Sequence, residues 1–271
     1  MTIITKVTSQ KRKGRYNIFV DNEYAFSVSE KILTQFRLLK GTELTSEKIA
    51  QIKEAEADSK ATELALNYLS YQPRTIAEVK EYLRGKEISK TTSDSAIADL
   101  EDLGYLDDDS FAKLFIKNNL RIGKDGQNSI RSKLRRKGID ENIIEDNLFE
   151  IADEAWIEAG QRLIHSLIHQ QGKIASKEIE RKAKNKLLTH GFTNELINII
   201  IGELNLQNDE EEQREALKKQ GTKVYRRYRN EDQFTRKQKV RRYLFQHGFS
   251  SNEIDLFLNG ELVDLSEIDE S

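Results

Sequence analysis

The sequence contains no cysteine. That excludes disulfide staples, thiolate nucleophiles and cysteine-ligated zinc, and it suits a reducing compartment. Proline occurs once among 271 residues, at position 73. Proline punctuates loops and breaks helices, so its near absence fits a chain built mostly of helices joined by short turns. No run approaches the roughly 18 apolar residues of a membrane-spanning helix, and the opening MTIITKVTSQ has no apolar signal-peptide core. A soluble, cytoplasmic, non-membrane protein is the expectation. There is also no surplus of one charge: 44 basic residues stand against 46 acidic ones, for a net charge of -2. Net charge alone therefore neither favours nor excludes a polyanionic partner. Aromatics make up 8% of the chain and hydrophobic residues 37%, so the apolar material must serve several small cores.

What is present is patterned. The first 30 residues are rich in Ile, Val, Thr, Tyr and Phe. Ile18, Val20, Tyr24, Phe26 and Val28 alternate around Asp21 and Asn22. Period-two alternation around Asx turn residues predicts a β-hairpin, with a third strand from IITKVTSQ. The stretch SEKILTQFRLLKG predicts a helix ending at Gly41. From Thr45 to Ser70 the pattern is one long helix capped by Thr45 or Ser46. Its polar middle, QIKEAEADSKATE, keeps helix formers and reads as a stiff connector.

The remainder repeats. SIRSKLRRKGIDENIIEDNL (129–148), RKAKNKLLTHGFTNELINII (181–200) and QKVRRYLFQHGFSSNEIDLF (238–257) share one register. Leu134, Leu187 and Leu244 each precede a glycine by four residues: Gly138, Gly191 and Gly248. An apolar residue follows (Ile139, Phe192, Phe249), then Asp140, Thr193 or Ser250, then Ile144, Ile197 or Ile254. Glycine is favoured just past a helix C-terminus, and Asp, Thr and Ser favour the next N-cap. The apolar residues flanking each cap fit a hydrophobic staple, and Ser250 with Glu253 fits a capping box. An earlier degenerate copy, IAEVKEYLRGKEIS, has Leu83 in register and Glu87 in place of the glycine. Another helix precedes each unit. The fold expected is mainly α: an N-terminal β-hairpin, then tandem three-helix repeats in an elongated, curved array. The expected division is 1–45 for the hairpin and short helix, and 46–106 for the connector helix and first repeat. The further repeats are 107–152, 153–207 and 208–271, the last with an acidic tail.

Catalytic constellations are scarce. GKDGQNS (123–129) lacks the order of a phosphate-binding loop and reads as a loop between helices. LDDDSF (106–111) offers three carboxylates, which read as the cap of a helix opening at Ser110 or Phe111 rather than a Mg²⁺ site. His165 and His169 are four apart, a spacing compatible with metal, but no Glu follows the first; two polar positions on a helix face is the preferred reading. Lys137, His190 and His247 occupy one repeat position in the last turn of a helix, where a cation complements the macrodipole. No catalytic residue, cofactor or metal is expected.

Charge segregation is the stronger signal. Arg121 to Lys137 holds seven basic residues and one acidic; Glu141 to Glu158 holds seven acidic and no basic. Lys223 to Arg242 holds nine basic and two acidic residues, interleaved with Tyr225, Tyr228 and Phe234. Val224, Tyr225 and Tyr228 read as core. The cations read as a functional surface, of a kind that can bind a phosphate backbone. The residues expected to form it are Arg121, Lys124, Arg131, Lys133, Arg135, Arg136 and Lys137, together with Arg226, Arg227, Arg229, Arg236, Arg241 and Arg242.

LEDLGYLDDDSFAKLFI (100–116), SIRSKLRRKGI (129–139) and PRTIAEVKEYL (73–83), in that arrangement behind an N-terminal hairpin, resemble the RecX family of recombinase regulators. The resemblance implies a non-enzymatic protein that binds the RecA recombinase as its filament on single-stranded DNA and lies in the filament groove. It implies inhibition of ATP hydrolysis, strand exchange and the co-protease activity that triggers the SOS response. A monomer is expected, with weak, sequence-blind contact to single- or double-stranded DNA as a further expectation. The family offers no catalytic residues to carry over. The other reading is a direct DNA-binding helical repeat protein, since a glycine turn between helices has some likeness to a helix-turn-helix.

Overall fold

A computed structural model describes residues 2–11, 13–204 and 210–270. Strands β1 (Thr2–Ser9), β2 (Arg15–Val20) and β3 (Glu23–Ser29) form an antiparallel meander. A two-residue β4 (Glu43–Leu44) joins the free edge of β1, giving the order β3-β2-β1-β4. The expected hairpin and third strand are thus extended by a fourth, too short to carry a sequence signal. Asp21 and Asn22 both take positive φ, 51° and 72°. That is the type I′ geometry whose twist matches the flanking strands.

Helix α1 (Glu30–Gln35) is much shorter than the 29–41 pattern suggested. Arg37 turns left-handed at φ 49°, and the Leu38 N–H returns to the Leu33 carbonyl. This closes the helix so that Leu38 enters the core beneath the sheet. Helix α2 (Ser46–Leu69) is the expected long helix, capped by the Thr45 hydroxyl, which accepts from the Lys48 N–H. Its first half supplies Ile52 to the sheet's core, and its second half supplies Ala61 and Ala65 to the next. The polar middle is used as well: Ser29 donates from its amide and hydroxyl to Glu56, which also pairs with Arg15 at 3.0 Å.

Three-helix units follow. The end of α2 packs with α3 (Ile76–Gly85) and α4 (Lys90–Asp102) around Val79, Leu83, Ile97 and Leu100. Next come α5 (Asp108–Ile122), α6 (Gln127–Arg136) and α7 (Glu141–Phe149). Then α8 (Asp153–Ile168), α9 (Ser176–Thr189) and α10 (Asn194–Glu203) pack around Trp156, Leu187, Phe192 and Ile200. Finally α11 (Glu210–Arg227), α12 (Gln233–Gln246) and α13 (Ser251–Leu258) enclose Leu217, Val224, Tyr225, Leu244, Phe249 and Phe257. The acidic tail contains a short helix, α14 (Leu265–Glu270), whose Ile268 is buried in that same core. Residues 205–209 and 271, part of the expected divisions, lie outside the described residues. By contacts the chain divides into a unit of 1–113 with 134–144, and a unit of 114–133 with 145–271. Among the described residues no helix is long and apolar enough to cross a membrane.

The repeat register is one backbone device used four times. The N–H of Glu87, Gly138, Gly191 and Gly248 returns to the carbonyl of residue 84, 135, 188 or 245. The following N–H, of Ile88, Ile139, Phe192 or Phe249, reaches the register leucine: Leu83, Leu134, Leu187 or Leu244. These paired bonds are a Schellman ending. The degenerate first copy keeps it, because Glu87 itself adopts φ 61°. Asp140, Thr193 and Ser250 cap the helices that follow, and Ser250 with Glu253 completes the expected capping box.

Candidate functional site

Each glycine turn also receives a neighbouring helix. The Thr75 hydroxyl, at the start of α3, donates to the Lys137 carbonyl at 2.7 Å, and Gly138 faces Ala77. At the start of α6, the Gly126 and Asn128 amides donate to the His190 and Gly191 carbonyls at 2.8 and 2.9 Å. At the start of α9, Gly248 faces Lys177 and the Glu178 amide. The start of each second helix thus docks on the glycine turn of the following repeat. The first repeat has no predecessor to dock on residue 87, which is exposed, and a side chain is tolerated there.

These joints capture several cations. Lys137, one residue past the last turn of α6, donates to Glu78 at 2.7 Å. Burial of the Glu78 carboxyl would raise its pKa, but the Lys137 ammonium and the Thr75 amide bring it below the usual range. Burial likewise opposes ionisation of Asp125, and Lys133, Ser129 and the nearby His190 reverse it, holding its pKa low. Glu178, nearly buried, is held low first by its hydrogen bond from Arg181, then by the charges of Arg181, Lys182 and His247. Like Lys137, His190 and His247 sit at the C-cap position just beyond the helix, not in its last turn.

Apart from Arg136, the expected binding cations therefore separate into two groups. Arg131 bridges α6 to Glu145 of α7, and Arg241 bridges α12 to Asp255 of α13 at the same repeat positions. Lys133 is held by Asp125 at 2.5 Å and Arg135 by Glu141 at 2.5 Å. Arg136 is exposed. Arg236 is buried: its Nε and Nη2 donate to the Tyr225 carbonyl at 2.9 and 2.8 Å, and its guanidinium lies 3.4 Å from the Tyr225 ring centroid. Arg131, Lys133, Arg135, Lys137 and Arg241 hold helices together, and Arg236 is a core residue. Arg236→Ala should cost about 2–4 kcal/mol by leaving the Tyr225 carbonyl short of its donors, and Arg236→Lys should not restore the loss, since lysine lacks the planar fork. Chemical denaturation measures this; an unchanged midpoint would contradict it.

The second group is exposed: Arg121 and Lys124 near the end of α5, and Arg226, Arg227, Arg229 and Arg242 in the last repeat. Arg121, Lys124, Arg226, Arg229 and Arg242 form no ion pair with any described residue, and Arg227 lies over the Tyr228 ring at 5.8 Å. One face of α11 forms an open cleft of roughly 470 Å³, lined by Lys218, Lys219, Thr222, Lys223 and Arg226. Lys218 pairs with Glu215 at 3.0 Å, and Lys219 donates to the Gly172 carbonyl at 3.0 Å. Lys223 and Arg226 keep their charge for solvent or a partner. Lys218 and Lys219 were not singled out from sequence, although their three-, four- and seven-residue spacing to Thr222, Lys223 and Arg226 places them on one helix face. Val224 and Tyr225 are core, as the sequence suggested; Tyr228 is half-buried against that core, and Phe234 is exposed.

The acidic run at 107–109 is occupied. Asp107 caps α5, accepting from the Asp109 and Ser110 amides, so the helix opens at Asp108 rather than at Ser110. Asp108 accepts from the Ile76 amide; its burial, and then Glu101 and Asp107, push its pKa up. Asp109 pairs with Lys113. GKDGQNS is a loop only to Gly126; α6 begins at Gln127. Among the described residues no three His, Asp or Glu side chains converge as metal ligands.

Comparison with known proteins places these elements in register. Residues 2–45 match the N-terminal domain of regulatory protein RecX. Residues 61–100, 107–148 and 210–258 match the first, second and third three-helix domains of RecX. The α8–α10 repeat lies between the second and third of these matches. The chain is 62% identical over 270 residues to a regulatory protein RecX of Lactobacillus gasseri, covering all of both chains. It is 36% identical to that of Lacticaseibacillus casei, covering 96% of this chain and 98% of the relative. A crystal structure of regulatory protein RecX superposes with a TM-score of 0.63 at 34% identity, covering 74% of this chain and 98% of that one. RecX from Lactobacillus salivarius gives 0.53 at 36% identity, covering 56% and 99%.

Proposed function

The chain belongs to the RecX family of regulatory proteins, and on that premise we propose that it binds the RecA recombinase assembled on single-stranded DNA and lies in the filament groove. There it inhibits RecA's ATPase, strand-exchange and co-protease activities, and so moderates DNA repair and the SOS response. It acts as a monomeric cytoplasmic regulator rather than as an enzyme. The observation that carries this reading is the exposed cation set of the last repeat: Lys223, Arg226, Arg229 and Arg242 make no ion pair with a described residue, and Lys223 and Arg226 line the α11 cleft. A filament repeats its surface, so successive three-helix units can each add a weak contact at high effective concentration. The exposed, unpaired cations of the last repeat would orient the partner and speed encounter.

The same cations favour a second reading, direct binding to the phosphate backbone. Titrating fluorescent single- and double-stranded DNA, bare and coated with RecA, separates the two. The regulator reading expects tight binding to the coated strand, and weak, salt-sensitive, sequence-blind binding to bare DNA. Nanomolar, sequence-specific binding to bare duplex would favour the second reading and overturn the first.

A further inference from the structure

We propose that His165 and His169 form a chelating site for a late first-row divalent metal ion at the C-terminal end of α8. The two side chains are one turn apart on the same helix face. Their Nε2 atoms face each other at 3.3 Å, while the rings cross at 85° with centroids 4.5 Å apart. The imidazoles thus approach through their nitrogens rather than by stacking. The separation is long for a hydrogen bond, whose N···acceptor distance is normally about 2.9 Å. It equals the bite of a tetrahedral ion: two nitrogens at about 2.0–2.1 Å from one centre stand roughly 3.3 Å apart. With Nδ1 carrying the proton, both Nε2 lone pairs are available to the ion.

The surroundings suit a cation. His169 is the C-cap of α8, where the last carbonyls carry the negative end of the helix dipole. Both histidines are exposed, so water can complete the coordination shell. With no third His, Asp or Glu converging among the described residues, the protein supplies two ligands. Paired imidazoles select copper, nickel and zinc over the hard cations magnesium and calcium. The ion would pin the last turn of α8 to the residue that opens the 169–175 connection. That connection is already gripped by α11, through Lys219 to the Gly172 carbonyl and Gln220 to the Lys173 carbonyl. The metal would therefore stiffen the segment bordering the cation cleft.

The test uses the full chain without an affinity tag. Titration calorimetry with NiCl₂ and with ZnCl₂ should show one ion per chain, with a rise in the unfolding midpoint, while MgCl₂ gives neither. H165A and H169A should each weaken binding by about tenfold or more, since either leaves a single imidazole. H190Q, a histidine remote in sequence, should leave it unchanged. With CuCl₂, electron paramagnetic resonance should show two coordinating nitrogens, reduced to one in either alanine variant. Absence of heat and of any midpoint shift would overturn the proposal, as would one-to-one binding retained in both alanine variants.

Discussion

Alanine at position 191 is expected to cost the 114–133/145–271 unit about 2–5 kcal/mol. Two penalties add there. Position 191 needs φ +84°, a left-handed conformation costing an ordinary residue roughly 1–2 kcal/mol. In addition, a Cβ at 191 would lie 2.5 Å from the Ser129 backbone nitrogen and 2.9 Å from its Cβ. Backbone cannot rotate away as a side-chain tip can, and such overpacking typically costs about 1–3 kcal/mol. Residue 87 supplies the internal comparison. It has the same left-handed backbone at φ 61°, the same pair of Schellman bonds, and an exposed glutamate. Glu87→Gly should therefore gain about 0.5–1 kcal/mol, the relief of the turn less the freedom that glycine adds to the unfolded chain. Urea denaturation of both variants separates the strain of the turn, which both report, from the close approach of α6, which only 191 bears. A loss at 191 no larger than the gain at 87 would mean that the docked helix contributes nothing to the glycine requirement.

The second large effect concerns function. Reversing Lys223, Arg226 and Arg229 together to glutamate is expected to raise the concentration needed for half-inhibition of RecA's ATPase by about tenfold or more, equivalent to ~1.4 kcal/mol. The salt dependence of filament binding should flatten at the same time, by roughly one unit of slope for each phosphate that the reversed side chains no longer neutralise. These three side chains have no acidic partner among the described residues, so reversal removes no ion pair from the fold. The matching control exchanges the partners of an existing pair, R135E with E141R, which preserves net charge and the bridge between α6 and α7. That double variant should inhibit like the unaltered chain. Inhibition unchanged by the triple reversal in a folded protein would remove these cations from the binding surface.

The contrast between Arg135 and Arg226 marks where sequence reading stops. The register of Leu, Gly, apolar residue and cap is local chemistry, and Leu134, Gly138 and Asp140 take up the roles their spacing implied. The left-handed turn at Glu87 was hidden because glutamate carries no signal for positive φ; only its alignment with Gly138 marks it. The helix expected from Ser29 to Gly41 fails for a related reason: Arg37 turns left-handed and Leu38 leaves the helical face for the sheet's core. The acidic composition of the tail signalled no element there, yet Ile268 is buried in the last repeat's core and Leu265 packs against it. The tertiary partners of the cations were the least legible feature. Arg131 and Arg241 meet carboxylates fourteen residues away, and Arg236 folds inward onto a carbonyl eleven residues back. A basic run in sequence does not reveal which cations such tertiary partners neutralise. The docking of each second helix on the next glycine turn is tertiary in the same sense, since it joins residues 62 apart at Thr75 and Lys137.

Action against the recombinase filament is the central claim, and RecA's single-stranded-DNA-stimulated ATPase measures it directly. The rate should fall as the full chain is added, with clear inhibition below one copy per RecA protomer, because a multivalent ligand in the groove affects several subunits at once. A rate unchanged by an excess of folded protein, at moderate salt and saturating DNA, would contradict it.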